Sequence, residues 1–323
     1  MTNYIMLLSG LLLLFIGGEI LIRGSVQISK RLGISAILIG VVVVGFGTST
    51  PELLVSMKAS LAGQSDIALG NAVGSNIANT LLILGIASVI TPIICKDKAI
   101  HRDSFSVVIA STVLMGLSYF QIISQFAGLL MFVSLIAYLI YSYKAEKKDK
   151  VTTIFSRFTK TAHEHEAKEF DKKGRKLSIA ILMSTCGIAM LVFGADFLVK
   201  GASNLARQFG ISEAIIGLSL VAIGTSLPEL VTAISASIKK NSDVVIGNVL
   251  GSSLFNILGI LGITSAIKPI TINKHIANFD IPLNLAIAVI LLLITLILKR
   301  FERWIGIIFL VIYVIYVAIL YLS

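Results

Sequence analysis

Ten apolar runs follow one another along this chain, each long enough to cross a hydrocarbon core of roughly 30 Å at about 1.5 Å per helical residue. They cover approximately 4–22, 34–62, 70–94, 104–120, 125–143, 177–199, 211–238, 245–267, 280–298 and 304–322. Inside a bilayer every backbone N–H and C=O must be satisfied within the protein, so runs of this length are predicted to be helices. The expected fold class is an all-α membrane protein with ten transmembrane helices. Composition agrees: 14% of residues are charged and mean hydropathy is +0.95, against about 25% charged in soluble domains. The first run has no basic segment before it and no small-residue cleavage site after it, so it is read as a retained helix. Cys95 and Cys186 lie far apart, in or beside apolar segments, and indicate neither a disulfide framework nor a thiolate metal site.

The net charge is +10, but its placement speaks against a nucleic-acid surface. Lys and Arg gather in alternate loops, as bilayer orientation requires. With ten crossings and the N-terminus outside, Arg23, Lys30, Arg31, Lys96, Lys98, Arg102, Lys239, Lys240, Lys299, Arg300, Arg303 and the whole 144–176 segment fall inside. Only Lys58, Lys200, Arg207, Lys268 and Lys274 fall outside. Both termini are therefore expected to be extracellular and the 144–176 loop cytoplasmic, in a multi-pass protein of the cell membrane.

That loop is the one long hydrophilic stretch, and it divides the chain into 1–143 and 177–323, five predicted helices each. The halves repeat. GTSTPEL at 47–53 matches GTSLPEL at 224–230, with Pro51 and Pro228 lying 177 residues apart. The same offset carries GNAVGSNIAN (70–79) onto GNVLGSSLFN (247–256) and Pro92 onto Pro269 without a gap. It also sets Glu19 on Asp196, Arg23 on Lys200, Gly24 on Gly201, Gly33 on Gly210 and Gly40 on Gly217. An odd number of crossings per half makes the second copy enter the membrane from the opposite side, so the halves are expected to form two inverted five-helix repeats.

A carboxylate at bilayer depth costs at least about 2.5–3.5 kcal/mol on insertion scales, so its presence at two matching positions, Glu52 and Glu229, needs a reason. No Lys or Arg lies within a turn before either residue. Each follows a proline, which removes an amide donor and clashes with the carbonyl four residues earlier, that of Gly47 or Gly224. Broken helices can then present free carbonyls beside Thr48 and Ser49, or Thr225 and Ser226. Carboxylates, hydroxyls and carbonyls suit hard cations: Ca2+ takes six to eight oxygens, whereas nitrogen and sulfur favour zinc or copper. Two glutamates carry enough formal charge to neutralise one Ca2+, and the same oxygens can hold Na+.

The second motif adds Asn71, Ser75 and Asn79, and Asn248, Ser252 and Asn256, each trio stepping by four along one helix face. Ser75, Asn79, Ser252 and Asn256 are candidate ligands or cavity-lining groups. Asn71 and Asn248 fit either that role or interhelical packing, because Gly70-xxx-Gly74 and Gly247-xxx-Gly251 are also small-xxx-small contacts.

GTSxPE followed by GNxxGSxxxN, twice at one offset, resembles the cation/Ca2+ exchanger superfamily and specifically its prokaryotic sodium/calcium exchangers. The resemblance implies a non-enzymatic antiporter working by alternating access, with Ca2+ and Na+ as cargo and no cofactor. It implies Ca2+ between Glu52 and Glu229 with the Thr48 and Thr225 backbone. It further implies flanking Na+ sites drawing on Ser49, Ser75, Ser226, Ser252 and the carbonyls of Gly45 and Ala222. Several members have aspartate where this chain has Asn256, and in potassium-dependent relatives that aspartate is linked to K+ use. The resemblance thus favours a K+-independent exchanger. H+/Ca2+ or K+-dependent Na+/Ca2+ exchange, or a cation channel built on the same carboxylates, are the alternatives. Glu19 with Arg23 and Asp196 with Lys200 read as self-neutralised i,i+4 pairs. His163, Glu164, His165 and Glu166 read as part of a solvated loop. Trp304, Tyr313, Tyr316 and Tyr321 read as interfacial or packing aromatics.

Overall fold

The computed structural model describes residues 2–32, 35–149, 177–208 and 222–322. Readings that fall on 150–176 and 209–221, among them the His163–Glu166 tract, Gly210 and Gly217, lie outside the described residues. In chain order the elements are α1 (Thr2–Leu32), α2 (Ile37–Thr48), α3 (Thr50–Leu61), α4 (Ser65–Ile90), β1 (Ile93–Ile94), α5 (Lys98–Ser118), β2 (Ile122–Ile123) and α6 (Gln125–Asp149). The second half comprises α7 (Leu177–Gln208), α8 (Ala222–Thr225), α9 (Leu227–Ile238), α10 (Ser242–Ile267), β3 (Ile270–Thr271), α11 (Ile276–Leu298), β4 (Arg300–Phe301) and α12 (Arg303–Leu322). The chain is a helical membrane protein. Seven of the described helices are long and apolar enough to cross a bilayer, and eight if α2 and α3, bent by 46° at Ser49, count as one span.

Helices overrun the apolar runs at several ends, because hydropathy marks where lipid stops and hydrogen bonding decides where a helix stops. The run at 4–22 lies within α1, which continues to Leu32 past Glu19 and Arg23. The segment read as hydrophilic loop from 144 is still helical through Asp149. Upstream, α5 begins at Lys98 because the Asp97 carboxylate accepts from the Ala99 amide at 2.8 Å, an N-cap.

Burial sorts the helices. In α10, 89% of the most apolar window is buried, and in α4 72%, whereas α6 and α12 bury 22% each and present the rest outward. α4 and α10, the carriers of the GNxxGSxxxN motifs, are thus the central helices. α1 lies along α7 through glycines: a Cβ on Gly187 would come within 2.6 Å of the Leu21 amide nitrogen, and one on Gly24 within 2.7 Å of that of Ser184. Contact this close lets backbones pack without side chains between them.

Two short ribbons join the halves. β1 pairs antiparallel with β4, and β2 with β3. Helix α5, 21 residues long, separates the ribbons by about 30 Å. At the β1–β4 end the Cys95 amide donates to the Lys299 carbonyl at 2.8 Å, and that of Ile94 to Ser242 Oγ at 3.2 Å. At the other end Lys268 Nζ donates to the Leu61 carbonyl at 3.2 Å. Residues that the charge pattern assigns to one side thus share one end of the molecule.

The glycine contacts generate a prediction. Gly187→Leu forces a side chain into the α1 backbone, and overpacking of this kind costs about 1–3 kcal/mol. The midpoint of thermal aggregation in detergent, followed by size-exclusion chromatography, is expected to fall by several degrees. Gly116→Ala, where nothing lies within 4 Å of an added Cβ, is expected to leave it unchanged.

Candidate cation site

The two GTSxPE motifs form matching breaks. Ser49, between α2 and α3, has φ −82° and ψ 13°; Ser226, between α8 and α9, has φ −90° and ψ 6°. Pro51 and Pro228 stand in the first turn of the helices that follow, where an amide donor is not needed. Glu52 and Glu229 stand in the same first turns, at the positive end of the helix dipole, which favours a carboxylate. The break is less open than the sequence implied. The Gly47 carbonyl that Pro51 deprives of a partner accepts from Thr50 Oγ1 at 2.9 Å, so the first copy does not leave it bare. Leu227 stands at the matching position of the second copy and has no hydroxyl to do the same.

Both glutamates are buried, 1% exposed for Glu52 and 2% for Glu229. Their partners are exchanged between halves: Ser49 Oγ donates to Glu229 Oε1 at 2.7 Å, and Ser226 Oγ to Glu52 Oε1 at 3.2 Å. Thr225 stands beside Glu52 and Thr48 beside Glu229. Thr48 Oγ1 itself donates to the Val44 carbonyl at 2.9 Å. The second oxygen of each carboxylate, Oε2, has no hydrogen-bond partner among the described residues. No ion pair formed among the described residues includes either glutamate.

The GNxxGSxxxN motifs supply the walls. Asn71 Nδ2 donates to the Glu52 carbonyl at 3.1 Å and to Ser56 Oγ at 3.0 Å, and Asn248 Nδ2 donates to the Glu229 carbonyl at 3.3 Å. These two amides hold the backbone that carries the carboxylates. Ser75 Oγ lies 3.4 Å from Ser226 Oγ and can donate to it, and Ser252 Oγ donates to the Gly45 carbonyl at 3.2 Å. Ala222, the repeat mate of Gly45, begins α8; the residues before it lie outside the described part. At the far ends of the motifs, α4 widens into a π-helical turn at Asn79–Ile83 and α10 into another at Phe255–Leu261. Widened turns of this kind recur at functional sites. The first packs against α9, which carries Glu229, and the second against α3, which carries Glu52. Asn79 and Asn256 are 1% and 0% exposed, yet both side-chain polar atoms of Asn79 and Oδ1 of Asn256 lack hydrogen-bond partners among the described residues.

The site therefore concentrates unpaired buried oxygens: two carboxylate Oε2 atoms and two amide Oδ1 atoms. A buried acceptor left unsatisfied costs about 1–3 kcal/mol, and more when charged. Among the described residues no group of three or more His, Cys, Asp or Glu comes together. The donor set is oxygen alone, which suits hard cations.

Some groups escaped the sequence reading. Asn76 accepts from Asn256 Nδ2 at 3.0 Å and donates to the Ser253 carbonyl at 3.3 Å. Tyr316, read as a packing aromatic, donates to Asp280 Oδ1 at 2.9 Å. Asp280 lies 177 residues after Asp103, which is fully buried beside Arg102 and Tyr138. Extending the offset past Pro92 would have found this second acidic pair. Glu19 pairs with Arg23 as expected, but Lys239 Nζ also reaches Glu19 Oε2 at 2.5 Å and ties α1 to the end of α9. Asp196 pairs with Lys200 at 2.8 Å.

Comparison with known proteins places the whole length of the chain in one family. The profile of the family described as sodium/calcium exchanger protein matches residues 2–144 and 179–322. Sodium/calcium exchanger MaX1 of Methanosarcina acetivorans is 31% identical over 99% of both chains. Inner membrane protein YrbG of Escherichia coli is 31% identical over 90% of this chain and 87% of its own. A structure of the sodium-calcium exchanger NCX_Mj soaked with 10 mM Na+ and 10 mM Sr2+ superposes with a TM-score of 0.83 at 28% identity over 98% of each chain. With its repeated motifs, buried paired glutamates and full-length likeness in sequence and fold, the chain belongs to the prokaryotic sodium/calcium exchanger family.

Proposed function

We propose that this protein exports or imports Ca2+ in exchange for Na+ without K+, by alternating access around the Glu52–Glu229 site. The observation that carries the reading is the reciprocal pair of bonds, Ser49 to Glu229 and Ser226 to Glu52, with the second oxygen of each carboxylate left without a partner among the described residues. In this reading Ca2+ sits between the two Oε2 atoms, with the backbone of Thr48 and Thr225 completing its oxygens. Na+ uses Ser49, Ser75, Ser226, Ser252 and the carbonyls of Gly45 and Ala222, with Asn79 and Asn256 bordering the same space. The two cargoes draw on the same carboxylates, so their charges compete for one pair of negative groups. That competition couples the fluxes.

The chain is read as ten spans in two inverted halves, 1–143 and 177–323, joined by 144–176. Three features support the count beyond the seven helices of sufficient length. The bent α2–α3 pair is one span; α5 is 21 residues long; and α8–α9 continues a run that begins in residues 209–221. The reciprocal hydrogen bonds and the exchange of ribbon strands, β1 with β4 and β2 with β3, are what a two-fold axis in the membrane plane produces. One glutamate from each half makes a central site. A channel filter is built instead as a ring around a pore.

Replacing Glu52 or Glu229 by Gln keeps shape and removes half the formal charge facing a divalent ion. Ca2+ uptake into proteoliposomes is expected to fall to below about one tenth of wild type, since a loss of only 1.4 kcal/mol in ion affinity is already tenfold. The variants should still elute as folded protein, because Ser49 and Ser226 can donate to an amide oxygen as well. Near wild-type uptake in either variant removes the central-site reading. Orientation is tested in intact cells: in a Cys186→Ser background, a cysteine at position 323 is expected to react with an impermeant maleimide and one at position 161 to be protected. The reverse pattern inverts the topology.

A further inference from the structure

We infer that Asn76 is a positioning residue that fixes the amide of Asn256 so that its carbonyl oxygen, and not its NH2 group, faces the ion cavity. The inference rests on the cation-site reading above. It follows from donor and acceptor logic along a three-member chain. The Ser253 backbone carbonyl can only accept, so the Asn76 atom 3.3 Å from it must be Nδ2. That leaves Asn76 Oδ1, an acceptor, facing Asn256 at 3.0 Å, so Asn256 must present its own Nδ2 there. With Nδ2 engaged, Asn256 Oδ1 is the atom without a partner among the described residues. All three residues are buried, at 2%, 3% and 0% exposed for Asn76, Ser253 and Asn256. One main-chain carbonyl thereby sets the direction of two amides.

Among the described residues the other half shows no such chain of bonds. At the repeat offset the mate of Asn76 is Ser253 itself, and the mate of Asn256 is Asn79. Among the described residues neither amide atom of Asn79 is paired, so no described group fixes which end it presents. One amide is thus held in one direction, and its repeat mate is not, among the described residues. A cation meets an oxygen at Asn256 without having to rotate the amide first, so the ordering cost that binding would otherwise carry is met in folding.

A double-mutant cycle tests this, read out as the concentration of Na+, and separately of Ca2+, that half-saturates thermal stabilisation of the purified full-length protein. Binding is measured directly, so variants that no longer transport remain informative. Asn76→Ala is expected to raise the half-saturating Na+ concentration by about tenfold. With the Asn256 side chain removed there is no amide left to orient, so Asn76→Ala added to Asn256→Ala is expected to change it by less than about twofold. An equal fold-change in both backgrounds would mean that Asn76 acts through packing alone and overturns the proposal. So does an unchanged midpoint in the Asn76→Ala single variant when wild type shows a clear one. If neither ion stabilises wild type, the cation-site reading falls and this inference falls with it.

Discussion

Burying two carboxylates side by side at bilayer depth is the constraint around which the molecule is built. Each needs compensation that water would otherwise supply, and the available basic residues are elsewhere: the Glu19, Arg23 and Lys239 group lies where α1 meets the end of α9. The compensation comes from helix ends. Breaking two helices at Ser49 and Ser226 places each glutamate in the first turn of a new helix, where the dipole is favourable. The hydroxyl at each break then turns to the opposite glutamate. One oxygen of each carboxylate is satisfied by protein, and the other has no hydrogen-bond partner among the described residues.

The rest of the architecture serves to bring those breaks together. α4 and α10 pass through the centre as the most buried of the candidate spans, and their asparagines, Asn71 and Asn248, grip the carbonyls of the two glutamates. Gly247 and Gly251 allow α10 to approach α2 closely: a Cβ on Gly251 would come within 2.5 Å of Val41 Cα. The small-xxx-small contact is thus present at Gly247-xxx-Gly251, whereas a Cβ added at Gly70 or Gly74 meets nothing within 4 Å, so among the described residues the first copy does not pack in this way. Close packing brings Ser252 to the Gly45 carbonyl.

Much of the geometry around the two glutamates was legible in the sequence, because a buried carboxylate restricts which groups can stand beside it. The repeated GTSxPE and GNxxGSxxxN motifs named both glutamates and the serines that the structure brings together around them. What was illegible falls into two kinds. Asn76 was missed because its partner in the other half is a serine, so comparison of the copies showed no repeated residue. The Asp103–Asp280 pair was missed because the later helices of each half need only be apolar on most faces, and drift hides the few polar positions kept among them. The bare carbonyl expected at Gly47 was wrong for a local reason: Thr50, one residue before the proline, supplies the missing donor.

The central claim is that flux of Ca2+ through this site is obligatorily coupled to Na+ and indifferent to K+. Uptake of 45Ca2+ into proteoliposomes, with Na+, K+, H+ or choline gradients imposed one at a time, measures it directly. Uptake is expected only when Na+ is loaded inside, unchanged by K+ on either side. Uptake driven by the Ca2+ gradient alone would make the protein a channel, and uptake that needs K+ or follows a proton gradient without Na+ would contradict the coupling assigned here.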